Sequence, residues 1–115
     1  MDRAGAEAKL LKELNERVRS ARGGAAIVEG ATVDLEYGWA FFSNSRHHLE
    51  TGELSSALVG QGIVIVEKDD GSMHFFGSAF SSSECIAEYT LQRKVGVRDS
   101  AVVERRLLER KRGTV

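Results

Sequence analysis

Residues 63–76 constrain this chain more tightly than any other stretch. Ile63-Val64-Ile65-Val66 is an unbroken β-branched run, Asp69-Asp70-Gly71-Ser72 is turn-forming, and Met73-His74-Phe75-Phe76 resumes an apolar strand. β-Branched side chains fit a pleated strand better than a helix, and Asp-Gly supplies the reversal, so the segment reads as a β-hairpin whose first arm is a central strand. The chain has no proline, so its turns rest on Gly, Asp, Asn and Ser.

The remaining elements follow from period and punctuation. From Asp2 to about Ala21, Ala4, Ala8, Leu11, Leu14 and Val18 recur at three- and four-residue steps, which predicts an amphipathic helix ended by Gly23-Gly24. Ala31, Val33, Leu35 and Tyr37 then alternate with Thr32, Asp34 and Glu36, the pattern of a half-buried strand within residues 25–37. Trp39 to Asn44 reads as a second strand, paired to the first through a turn near Tyr37-Gly38. The long connection from Ser45 to Gly62 contains a helical turn anchored by Leu49, Leu54 and Leu58. Ser81-Ser82-Ser83-Glu84 offers an N-cap for a helix to about Lys94, with Cys85, Ile86, Tyr89 and Leu91 as its apolar positions. A last helix spans about Asp99 to Arg112, with Val102, Val103, Leu107 and Leu108 apolar. From Ser100 onward there are five basic side chains against two acidic ones.

These elements predict an α+β fold: an antiparallel sheet of about four strands, with the N-terminal helix and the helix after Ala79 against one face and an additional C-terminal helix. Residues 1–95 form the domain and 96–115 a basic C-terminal helix or tail. Trp39, Phe41, Ile63, Ile65 and Phe75 are the expected core.

Composition excludes several function classes. With 42% hydrophobic and 29% charged residues the chain lies in the globular range and is expected to fold without a cofactor. A net charge of -1 gives no global field toward nucleic acid or anionic lipid. No apolar run approaches the roughly 20 residues of a membrane helix, the charged start is unlike a signal peptide, and Cys85 has no disulfide partner, which together predict a cytoplasmic protein.

No constellation for catalysis emerges. His47, His48 and Glu50 are the nearest approach to a metal cluster, but adjacent histidines point apart and no second cluster supplies further ligands, so no metal is expected. Cys85 near a helix start has the position of an activated thiol, yet it shares a face with Tyr89 and reads as packing. Asp69 and Asp70 are explained by the turn, His74 by a surface or strand-pairing position, and Gly60, Gly62, Gly71 and Gly77 lack the spacing of a phosphate-binding loop. The basic tail alternates with glutamates and lacks interleaved aromatics, against nucleic-acid binding. An enzyme is therefore not expected.

From Trp39 to Tyr89 the sequence resembles the YrhB-like proteins of the immunity protein 35 family. The resemblance is carried by Gly38-Trp39-Ala40-Phe41, Leu49-Glu50-Thr51-Gly52, Leu58-Val59-Gly60-Gln61-Gly62, the strand to Lys68 with Asp70-Gly71, and Gly77-Ser78-Ala79 leading to Ile86 and Tyr89. It departs where members carry a proline, at Ile63 and near Ser81 or Ser82, and it leaves the N-terminal helix and the stretch after about Arg93 outside the motif. It implies a small α+β antitoxin-like protein that neutralises a cognate bacterial toxin by binding it. The expected contact is the connection after residue 45, with Arg46, His48, Glu50 and Glu53 as partner-binding residues. The alternative, from another class, is a housekeeping or chaperone-like module with no toxin partner, making its contact or a homodimer through the C-terminal basic helix.

Overall fold

The computed structural model describes residues 1–17, 24–52 and 61–113. Asp2 opens helix α1 (Arg3–Arg17): its carboxylate accepts the Gly5 N–H at 2.7 Å and its carbonyl the Ala6 N–H, which satisfies donors that have no partner within the helix. The buried stripe is Ala6, Leu10 and Leu14, while Ala4 and Ala8 are exposed, Leu11 is half-buried and Val18 lies outside the described residues. This helix has alanine on several sides, so periodicity alone left its rotation open. The sheet takes the side that carries Leu10.

Strand β1 (Ala25–Ile27) is separated from β2 (Val33–Leu35) by a turn in which Gly30 has φ 76° and the Ala31 N–H points back to the Val28 carbonyl. The single strand expected over residues 25–37 is therefore two. The aromatic run after it also divides, into β3 (Gly38–Phe41) and β4 (Ser43–Ser45). β1 pairs with β4 in a small antiparallel ribbon, whereas β2 and β3 form a hairpin in the main sheet. Helix α2 (Arg46–Thr51) follows directly, then β5 (Gln61–Glu67), β6 (Met73–Gly77), α3 (Ser82–Lys94) and α4 (Ser100–Gly113). The main sheet is antiparallel in the order β2-β3-β5-β6, so β5 is interior and forms the expected hairpin with β6. Gly71 closes that hairpin at φ 67°, with its N–H on the Glu67 carbonyl, and Asp70 Oδ1 accepts the Ser72 N–H at 2.9 Å.

The helices lie on both faces of the sheet, not on one. Trp39, Phe41, Val64 and Val66 pack with Ala6, Leu10 and Leu14 of α1, whereas Ala40, Ile63, Ile65 and Phe76 pack with Cys85 and Tyr89 of α3 and Val103 and Leu107 of α4. The cause is visible in β3 and β5. A strand that is apolar without alternation must bury both faces, and all four residues of β3 and five in a row of β5 (Ile63 to Glu67) are buried. Trp39, Phe41, Ile63 and Ile65 are buried; Phe75, on the edge strand β6, is half-covered against the first core, while its neighbour Phe76 is buried in the second.

α3 starts with a reciprocal capping box between Ser81 and Glu84 and ends where Gly96, at φ 83°, turns the chain back. Its buried positions are Cys85, Glu88 and Tyr89, whereas Leu91 is exposed. Within residues 96–113, Asp99 Oδ1 accepts the Ala101 N–H, and Val103 and Leu107 of α4 enter the second core. Val102 is half-buried and Leu108 exposed.

Candidate protein-contact surface

α2 is held at both ends. Ser45, fully buried, accepts the His48 N–H on its hydroxyl at 3.1 Å, and Gly52, at φ 75°, returns its N–H to the His48 carbonyl at 2.8 Å. The Arg46 N–H reaches the Gly24 carbonyl at 2.8 Å, and Asn15 Oδ1 of α1 takes the Ala25 N–H at 2.8 Å. A hydrogen-bonded chain thus runs from α1 through β1 to α2, and the short helix sits on a fixed base.

This places Arg46, Leu49 and Glu50 at the surface and leaves His47 and His48 half-buried. Glu53 lies outside the described residues. Arg46 borders a groove of about 420 Å³ between α1 and the turn after β1, with Arg3, Leu11, Ile27 and Glu29 along its walls. Thr32 also lines it, and its buried hydroxyl has no hydrogen-bond partner among the described residues. Among the described residues no three His, Cys, Asp or Glu side chains stand close enough to hold a metal ion.

A second polar assembly escaped the sequence reading. Glu67, at the end of β5, has no exposed surface, yet its carboxylate accepts the Tyr89 hydroxyl, the Arg93 Nε–H at 3.0 and 3.1 Å, and an ion pair from Arg98 Nη1 at 3.2 Å. Arg98 continues to Asp70 at 2.6 Å, and the Arg93 guanidinium stacks over the Tyr37 ring at 4.4 Å. Burial pushes the Tyr89 hydroxyl's pKa far up, and its bond to the Glu67 carboxylate adds to the shift, so this hydroxyl stays a donor. Asp70 is held well below the usual carboxylate range by the Ser72 N–H and hydroxyl and then by Arg98. His74, beside Tyr89 at 5.2 Å, is pushed down by burial and favours the neutral ring. A second buried carboxylate, Glu88, pairs with Arg110 at 2.6 Å and accepts from Gln92 at 2.8 Å. The signal for Glu67 was present: period two puts it in line with Ile63 and Ile65 on the face that α3 covers.

These groups brace packed elements against one another. Cys85 lies beside a small cleft of about 210 Å³ between α3 and the sheet, but it is 1% exposed and burial raises its thiol to about 11, with Glu104 and Glu84 adding to the shift. That environment disfavours a thiolate. None of the described helices is long and apolar enough to cross a membrane.

Residues 4–104 match the model of a family described as immunity protein 35. An uncharacterised protein, YrhB, of Escherichia coli strain K12 is 34% identical over 56 residues, which cover 49% of this chain and 60% of that relative. No solved structure matches. The family model takes in α1 and the first part of α4, both of which the sequence motif had left outside. With the match running through both cores, the chain belongs to the immunity protein 35 family.

Proposed function

We propose that this protein is a non-catalytic immunity protein that neutralises a cognate bacterial toxin by direct, stoichiometric binding in the cytoplasm of the producing cell. The family match over residues 4–104 carries this reading. The contact is assigned to α2 and the connection after it, with Arg46, His48, Glu50 and Glu53 as its polar residues. Support comes from the way α2 is presented: capped at both ends, it holds Arg46, Leu49 and Glu50 exposed, with Arg46 beside a groove whose Thr32 hydroxyl has no partner among the described residues. An apolar residue ringed by charges of both signs suits a contact in which a small anchor gives affinity and the rim gives specificity.

The test is a growth assay in which candidate cognate toxins from the same genome are co-expressed with the protein or with a variant carrying Arg46→Glu and Glu50→Arg. Both positions are exposed, so thermal stability should be unchanged while protection falls. Full protection by the variant would remove the contact from α2, and failure of the unaltered protein to protect against or bind any of them would refute the proposed function.

A further inference from the structure

The main sheet has two edge strands, and they are treated differently. At β6, the Glu104 carboxylate takes the Gly77 N–H at 2.7 Å, α4 packs alongside, and the Arg17 guanidinium lies 3.7 Å from the centre of the Phe75 ring. At β2, no hydrogen bond other than those to β3 reaches residues 33–36 among the described residues. An uncovered strand edge is a template for pairing with another chain, and proteins usually blunt it.

A groove of about 610 Å³ runs beside β2, with Leu35 and Tyr37 on one side and Thr90, Arg93 and Lys94 of α3 on the other. Leu35 and Tyr37 belong to the second core, whereas Asp34 pairs with Trp39 of the first, so the two faces of β2 differ in character. Val33 is 38% exposed and shares its face with Leu35, while Asp34 on the strand and Glu36 in the turn after it also line the groove, are exposed and make no ion pair among the described residues. Arg93 on the far wall is already matched by Glu67.

We propose that the free edge of β2 pairs with a short extended segment of a partner protein that sets apolar residues beside Val33 and Leu35 and basic residues beside Asp34 and, at the hairpin turn, Glu36. This rests on the protein-binding reading above and adds a second contact, made by backbone pairing, to the one on α2. Main-chain bonds supply affinity in such strand addition, and the alternate side chains supply the choice of partner. A second copy of this chain is the poorer occupant, because antiparallel pairing of two β2 strands sets an Asp34 carboxylate against a carboxylate of the other copy, Asp34 or Glu36 according to register.

The probe is a capped heptapeptide of alternating valine and lysine, titrated into the full chain by calorimetry and followed by amide chemical shifts. Binding is expected, with the largest shifts at Val33, Asp34 and Leu35. A matched peptide N-methylated at alternate amides should not bind, and a variant with Asp34→Lys and Glu36→Lys should bind at least about tenfold more weakly. A milder variant, Asp34→Asn with Glu36→Gln, should weaken binding in the same direction, which guards against misfolding of the first. No binding by the unaltered protein, or equal binding of the N-methylated peptide, overturns the proposal. Retained toxin protection alongside absent peptide binding overturns strand pairing alone and leaves the proposed function standing.

Discussion

Glu67→Gln is the most informative single change, because it preserves shape and removes only a charge. The carboxylate is 0% exposed, while its partners Arg93 and Arg98 are 33% and 35% exposed, so water compensates part of what each guanidinium loses. Glutamine can still accept the Tyr89 hydroxyl on its oxygen, but its amide then presents donors to two cations that can only donate. Removing one partner of a fully buried pair costs about 3–5 kcal/mol, and the partial exposure of both arginines puts the expected loss at the lower end, about 3 kcal/mol. Against a typical domain stability of about 5–15 kcal/mol this is a large fraction. With a urea dependence near 1.5 kcal/mol per molar the midpoint should fall by about 2 M. At about 4 °C per kcal/mol the melting temperature should fall by about 12 °C. Trp39, the sole tryptophan and 6% exposed, reports the transition by fluorescence. A double-mutant cycle of Glu67→Gln with Arg93→Gln should give a coupling energy of about 1–2 kcal/mol. A midpoint shift below about 0.4 M, or a coupling energy indistinguishable from zero, would refute the claim that this carboxylate braces β5 to α3.

Two further outcomes follow from particular residues. The Cys85 thiol is raised in the folded state to about 11, so its contribution to stability is complete below the unfolded thiol's pKa of about 8.5 and is lost as pH rises toward 11. Urea midpoints measured from pH 8 to 11 should therefore decline more steeply for the unaltered protein than for Cys85→Ala, and parallel slopes would contradict the shift. At Gly38 an added Cβ would run into the Val66 carbonyl across the β3–β5 pair, backbone against backbone, where neither side can yield. Gly38→Ala should cost at least about 3 kcal/mol and leave most of the protein insoluble on expression; a cooperative melt close to that of the unaltered protein would show that the two strands can separate there.

The hairpin of β5 and β6 was legible because three independent signals agree over fourteen residues: a β-branched run, Asp-Gly turn chemistry and a resumed apolar strand. The α3 start was equally plain, since a cap needs only the side chains of Ser81 and Glu84. What could not be read was any property decided by more than one element. The rotation of α1 depends on which side the sheet accepts, and Ala4, Ala6 and Ala8 differ too little in apolar area to choose. The division of residues 25–37 into β1 and β2 depends on β4 as a competing partner. The two-faced packing was present in the unalternating run of β5, but its meaning as burial on both sides required enough helices to cover both.

The candidate contact surface shows the same division. Caps at Ser45 and Gly52 are local, so a short helix after residue 45 could be expected from the sequence, whereas the groove beside Arg46 exists only once α1 lies against β1. Glu67 and Glu88 were hidden for a deeper reason. A charged residue on an apolar stripe normally marks the edge of the buried face, and only the partners that come from elsewhere in the chain, Arg93 and Arg98 for one and Arg110 for the other, make its burial tolerable. The consequence separates two roles among the ionic groups. Glu67 and Glu88 are buried and hold their arginines at the rim of the fold, and changing the two carboxylates should alter stability first. Arg46, Glu50, Asp34 and Glu36 are exposed, and changing them should alter binding first. A variant of Glu67 that kept full stability yet lost protection would break that division, and with it the argument that the interior charges serve the fold while the surface ones serve the partner.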